Sequence, residues 1–138
     1  MSDINKPNKF LPTTREEMNE RGWDELDVVL ITGDAYIDSP FMGIAVVGRI
    51  LEDIGLRVGI IGQPDINSDV DVKRLGEPKL FWGVSGGSID SMVSNYTATK
   101  KFRNSDDYTP GGKNERRPDR ATLVYTNLIR RYFKGTVP

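Results

Sequence analysis

The sequence predicts an α/β fold, a three-layer sandwich in which a parallel sheet lies between helices. Three observations carry this reading. The runs Val28-Val29-Leu30-Ile31-Thr32 and Leu80-Phe81-Trp82-Gly83-Val84 are apolar almost throughout yet too short for helices, the pattern of strands buried on both faces. Each run ends in small and polar residues, and a helical pattern follows. Strand, helix and strand also succeed one another within residues 27–61, which makes a βαβ unit whose crossover should be right-handed.

In chain order, residues 1–12 are polar and read as an extended arm that Phe10 and Leu11 could pin to the body. Thr13-Thr14-Arg15-Glu16-Glu17 offers two overlapping capping boxes, Thr13 with Glu16 and Thr14 with Glu17. A short helix is expected from Arg15 to Glu20, closed at Gly22, with Trp23 anchoring it to the sheet. The first strand spans 27–32. A helix follows over 43–54, with Ile44, Val47, Leu51 and Ile54 as its buried face and Gly55 as its stop. The second strand spans 57–61 and is closed by Gly62-Gln63-Pro64. A short helix over 69–75 is stopped by Gly76 and Pro78, and the third strand spans 80–84. Trp23, Phe81 and Trp82 are read as core. Beyond the Ser85-Gly86-Gly87-Ser88 turn a helix is expected over 89–96. An irregular segment then leads to an amphipathic helix over 120–133, in which Ala121, Val124, Tyr125, Leu128, Ile129 and Tyr132 share one face. Such connectivity is flavodoxin-like, with strand order 2-1-3 and a crevice above the carboxyl ends of strands one and three. An alternating α/β pattern calls for another strand after the last helix, so the sequence is expected to be the amino-terminal piece of a longer protein, cut before a fourth strand.

Composition bounds the chemistry. The chain has 138 residues, the size of one domain, and a net charge of −1, so no global field attracts nucleic acid or an acidic membrane. It has neither cysteine nor histidine. Disulfides, thiolate zinc sites and an iron–sulfur cluster held by this segment are excluded, and the usual neutral-pH base is missing. The amino end carries no signal-peptide pattern, and no apolar run approaches the ~20 residues of a membrane helix, so a cytoplasmic protein is expected.

The candidate site lies at the two strand-to-loop junctions. Gly33 permits a turn or the close approach of a ligand, and Asp34 and Asp38 place carboxylates where they could accept hydrogen bonds from sugar hydroxyls or help hold a metal with water. Ser39 suits an N-cap and Pro40 the first helical turn. The same residues serve equally well if they only cap and turn the chain. At the second junction, Gly86 and Gly87 between Ser85 and Ser88 leave backbone N–H groups open to an anion at a helix N-terminus, with a plain connector capped by Ser88 as the alternative. The spacing matches neither dinucleotide nor P-loop signatures. A third feature is the long basic loop, 99–119. From Lys100 to Arg120 it carries seven basic residues (Lys100, Lys101, Arg103, Lys113, Arg116, Arg117, Arg120) against four acidic ones (Asp106, Asp107, Glu115, Asp119), a net +3. With Tyr96, Phe102 and Tyr108 interleaved, it could grip RNA, dock a neighbouring domain, or be a solvated loop.

Several blocks resemble the amino-terminal region of YgiQ-type radical SAM proteins. They are Phe10-Leu11-Pro12-Thr13-Thr14, Arg21-Gly22-Trp23-Asp24, Gly33-Asp34-Ala35-Tyr36-Ile37-Asp38, Asn95-Tyr96-Thr97-Ala98, Asp107-Tyr108-Thr109-Pro110 and Arg117-Pro118-Asp119-Arg120-Ala121-Thr122. The resemblance implies a longer parent protein in which a radical SAM barrel follows, carrying a three-cysteine motif, a [4Fe-4S] cluster and S-adenosylmethionine. It also implies a fold similar to the cobalamin-binding domains that precede many such barrels. Those domains commonly show Asp-x-His-x-x-Gly after the first strand; here Asp38 to Gly43 keeps the Asp–Gly spacing, but Pro40 stands at the histidine position. Family members usually carry histidine where this chain has Ser39. The reading at this level is a non-catalytic accessory domain that positions a substrate or cofactor over the downstream cluster, with Gly33, Asp34, Tyr36, Asp38, Ser39, Ser85, Gly86 and Gly87 as contacts. The alternatives are an independent nucleotide- or flavin-binding domain and an RNA-binding module that uses the 100–120 loop.

Overall fold

The computed structural model describes residues 10–36, 42–106, 108–114 and 116–138, with Ser91 described by its backbone alone. Asp38, Ser39 and Pro40, and the residues at 107 and 115, lie outside the described residues. The order of elements is α1 (Arg15–Glu20), β1 (Val28–Thr32), α2 (Gly43–Asp53), β2 (Val58–Gly62), α3 (Val70–Lys73), β3 (Phe81–Ser85), α4 (Ser91–Asn95), a 3-10 turn (Pro110–Gly112) and α5 (Ala121–Tyr132). The sheet is parallel throughout and ordered β2-β1-β3, with Val28 opposite Val58 on one side and Phe81 on the other. A parallel sheet buries both faces, and central β1 is buried along its whole length.

Alternation along β1 sorts the core into two layers. Val29 and Ile31 pack with Trp82 under Tyr125, Leu128 and Ile129 of α5, joined by Met18 of α1 and Val72 of α3. Val28 and Leu30 face the other way, towards Ile44 and Ala45 of α2 and Leu11 of the amino-terminal arm. Leu11 is fully buried, whereas Phe10 stays exposed and meets the Tyr36 ring edge-on. Of the two capping boxes, the chain uses the second: Thr14 is the N-cap of α1 and accepts from the Glu17 N–H at 3.2 Å. The Thr13 hydroxyl then donates to the Glu17 carboxylate at 2.9 Å. Trp23 packs on the α5-side core, with the Arg21 guanidinium 4.8 Å from its ring centre.

Three expectations are corrected. The buried face of α2 is Ile44, Ala45 and Gly48, with Leu51 half-buried against the same layer as expected, while Val47 and Ile54 are exposed. The rotation is set at Gly48, where a Cβ would run into Leu11 and approach Leu30 and Ile60. An apolar pattern that runs around most of a helix does not by itself say which side faces in. Phe81 is also not core: it is 39% exposed, because no described helix covers the α2-side face of β3. Finally, Ser88 is not a helix cap. α4 begins at Ser91 behind Asp90, whose carboxylate accepts from the Met92 N–H at 2.9 Å.

Candidate functional site

The two strand-end turns meet. The Gly33 N–H donates to the Ser85 carbonyl at 3.1 Å, continuing the β1–β3 ladder past the strands. Gly33 then passes so close to the Gly86 carbonyl that a Cβ there would overlap it. Gly87, at φ +109°, passes as closely against the Asp34 carboxylate. Only residues without a side chain let the backbones approach like this.

The glycines crowd around one side chain from the long basic loop, which the sequence left open between gripping RNA, docking a domain and lying in solvent. The Arg117 guanidinium is 0% exposed. Its Nη2 donates to Asp34 Oδ1 at 2.6 Å, its Nε to Asp106 Oδ2 at 3.1 Å, and its Nη1 to the Gly86 carbonyl at 2.9 Å. The other Asp34 oxygen accepts the Ser88 N–H at 2.6 Å. One arginine thus ties the β1 turn, the β3 turn and the 99–119 segment together. Buried charge is tolerated only when it is paired and hydrogen-bonded in this way.

Further bonds extend this clasp. Burial pushes the Asp106 carboxyl up, but the bonds from Arg117, the Tyr108 N–H and the Thr109 hydroxyl outweigh it and hold the group below its ordinary range. Burial likewise works against the charge on Arg117, and its bonds to Asp106 and Asp34 more than offset this and raise it. Gln63, held at φ +47°, donates its amide to the Gly33 carbonyl at 3.0 Å and to the Thr109 hydroxyl at 2.6 Å. A non-glycine residue in that region is strained and is held there by its bonds. Behind the clasp, Asn95 donates to the Arg117 carbonyl at 3.1 Å and to Asp119 at 2.8 Å, and the Tyr96 hydroxyl donates to Asp119 at 2.6 Å.

Beside the clasp, on the α2 side, opens a cleft of about 550 Å³. Leu30, Gly83 and Val84 line its apolar part, Ile44 and Val47 its α2 wall, and Thr32, Asp34, Ser85, Gly87 and Ser88 its polar end. This volume suits a small organic molecule. The Thr32 hydroxyl accepts from the Asp34 N–H at 3.2 Å and the Ser85 hydroxyl from the Gly87 N–H at 3.1 Å. Each hydroxyl keeps its own proton to donate. With Asp34 committed to Arg117, the described residues of the cleft offer hydroxyl and apolar contacts and no free general base.

Of the residues expected at the site, Asp34, Ser85 and Gly87 line this cleft, and Gly33 and Gly86 meet behind it. Tyr36 lies elsewhere: its hydroxyl accepts the Leu11 N–H at 3.2 Å, and it lines a separate depression of about 640 Å³ near Gly62. Asp38 and Ser39 lie outside the described residues. The sequence reading missed Arg117, Asp106, Thr109 and Gln63. For the first three the signal was the length of the 99–119 segment, since a long loop in a compact domain is either functional or disordered; Gln63 lies outside that segment and gave none.

Among the described residues, no group of three or more Asp or Glu could hold a metal ion, and no helix is long and apolar enough to cross a membrane. Without cysteine or histidine, the chain has no thiolate for an iron–sulfur cluster and no imidazole for cobalt, so its residues do not fit as ligands of either.

A family model described as Radical SAM N-terminal matches residues 10–138. A UPF0313 protein of Thermotoga petrophila is 62% identical over 124 residues, 90% of this chain and 22% of the relative. One from Fusobacterium nucleatum is 61% identical over 128 residues, covering 93% of this chain and 22% of the relative. One from Pseudomonas aeruginosa is 57% identical over 127 residues, 92% and 17%. The chain thus spans about a fifth of the length of the curated relatives it matches. No solved structure matches it.

Proposed function

The chain belongs to the Radical SAM N-terminal family, and from that premise we propose that it is a non-catalytic accessory domain that holds a small molecule beside the reaction centre of a longer radical SAM protein. The observation that carries this reading is the cleft of about 550 Å³ at the carboxyl ends of β1 and β3, with its polar end fixed by the Arg117 clasp. Open α/β sheets bind ligands at such a crevice. A rigid polar end beside an apolar wall suits positioning.

In this reading the parent protein is YgiQ-type and cytoplasmic. A radical SAM barrel in the same polypeptide carries the [4Fe-4S] cluster and S-adenosylmethionine, which together supply the radical chemistry. This domain would bring Thr32, Ser85 and Ser88 to the bound molecule as hydroxyl donors, with Leu30, Ile44 and Val47 against its apolar part. Cobalamin is a candidate occupant only in a form whose cobalt takes no histidine from this chain.

An independent nucleotide- or flavin-binding domain is the competing reading. Calorimetric titration of the 138-residue chain with ATP, FMN, cobalamin and S-adenosylmethionine separates the two. The accessory reading expects no micromolar binding by this chain alone, and micromolar binding of FMN or ATP would favour the independent domain. The RNA reading loses Arg117, which is buried in the clasp. Arg116 is half-exposed, and it donates to the Gln63 carbonyl at 3.0 Å. An RNA affinity that falls steeply with salt and is weakened in Arg116→Ala would restore that reading.

A further inference from the structure

Helix α2 is built like a buried helix but leaves much of its surface open. Its inward positions are Ile44, Ala45 and Gly48. Val47, Ile50 and Ile54 recur at the spacing of a second stripe beside that face, and they are 47%, 57% and 69% exposed. Val47 lines the cleft together with Gly83 and Val84, so this stripe looks across β3. The polar residues Arg49 and Glu52 lie round the helix from it, where Glu52 pairs with Arg21 at 2.8 Å.

The floor of the resulting groove is the α2-side face of β3. Phe81 shares the face of Val28, and Gly83 that of Leu30, by the strand register. Trp82, on the opposite face, is buried under α5, but Phe81 is not covered by any described helix. Parallel sheets are normally covered on both sides, and a contiguous apolar patch is unusual on a finished surface. The outer edge of β3 is also already in use: the Trp82 N–H donates to the Val137 carbonyl at 3.0 Å, so the last residues run along the margin of the groove. In the relatives named above, about four-fifths of the polypeptide lies outside the matched region.

We propose that the groove between the Val47–Ile50–Ile54 stripe and the Phe81 face of β3 is covered, in the long proteins of this family, by an amphipathic helix from the polypeptide that follows the matched region. The occupant lays an apolar stripe along β3, completes the α2-side layer and closes the lower end of the cleft. The proposal rests on the reading above only in taking its occupant from the longer radical SAM protein. It makes no use of a ligand.

The chain has no cysteine, so a single introduced thiol reports on the groove. Ile50→Cys is made in the 138-residue chain and in a long chain that joins this sequence to the remainder of the Thermotoga petrophila relative. Maleimide labelling at that position is followed by peptide mass spectrometry. Val47→Cys is a second reporter, and Glu16→Cys, on exposed α1, is the control. Labelling at Ile50→Cys and Val47→Cys should be fast in the short chain and at least about tenfold slower in the long one, with the control unchanged. Equal rates in both chains would overturn the proposal. Slowing with concentration in the short chain would overturn it too, because the occupant would then be a second copy. Ligand binding is not measured, so a failure here is distinct from a failure of the accessory-domain reading.

Discussion

Two regions border β3 and they are built on opposite principles. At its carboxyl end, backbone carbonyls, amides and charged side chains are drawn into one buried clasp around Arg117, so tightly packed that Gly33 and Gly87 have no room for a side chain. Along its α2-side face, Phe81 and the Val47–Ile50–Ile54 stripe lie open, with no described helix across them. The comparison teaches where the family blocks act. Asp34, Asn95, Thr109, Arg117 and Asp119 all take part in the hydrogen-bond network that fixes the strand-end turns. They build the frame of the crevice, and the open apolar face is the surface proposed above to be covered by the longer polypeptide.

The largest expected effect comes from opening the clasp. Arg117→Ala leaves Asp34 and Asp106 buried without their cation, and should cost about 3–5 kcal/mol in denaturant unfolding. The neighbouring Arg116→Ala removes a half-exposed side chain and should cost within about 1 kcal/mol. Equal losses at the two positions would erase the distinction between buried clasp and surface. Next, Gly33→Ala forces a methyl group against the Gly86 carbonyl and Arg117, and should cost about 1–3 kcal/mol.

Acid should act on the same region. The Asp106 carboxyl is held low in the folded state, so the stability it contributes is present above its unfolded value near 3.9 and is lost as pH falls through the lower folded value. Asp106→Asn should flatten that acid limb in a comparison of unfolding midpoints across pH. The smallest effect belongs to the open face. Ile50→Ser should change the stability of the 138-residue chain by no more than about 0.5 kcal/mol. A loss of several kcal/mol there would mean that the stripe is already covered in this chain.

Much of the frame was legible in the sequence. The short apolar runs at 28–32 and 80–84, with Gly55 and Gly62 closing their elements, were enough for the parallel sheet, its 2-1-3 order and the meeting of the two turns. The rotation of α2 was not legible, because apolar residues surround most of that helix and only the contact of Leu11 with Gly48 decides which side turns in. Nor could residue type or spacing distinguish Arg116 from Arg117. The two are adjacent and alike in type, and their difference is made by Asp34, more than eighty residues away. Tyr36 sat within the expected site by sequence, yet the chain turns it towards the amino-terminal arm. The glycines at 86 and 87 resembled an anion cradle because glycine marks close approach without saying what approaches; at Gly87 it is the Asp34–Arg117 pair, and at Gly86 the Thr122 hydroxyl.

A double-mutant cycle between Asp34 and Arg117, read by denaturant unfolding of the single alanine variants and the double variant, tests the clasp most directly. Two buried partners 2.6 Å apart should show a coupling of about 1–3 kcal/mol, with the double variant less damaged than the two single losses together imply. Additive losses would mean that the two side chains do not hold the turns together, and the account of the crevice would fail with them.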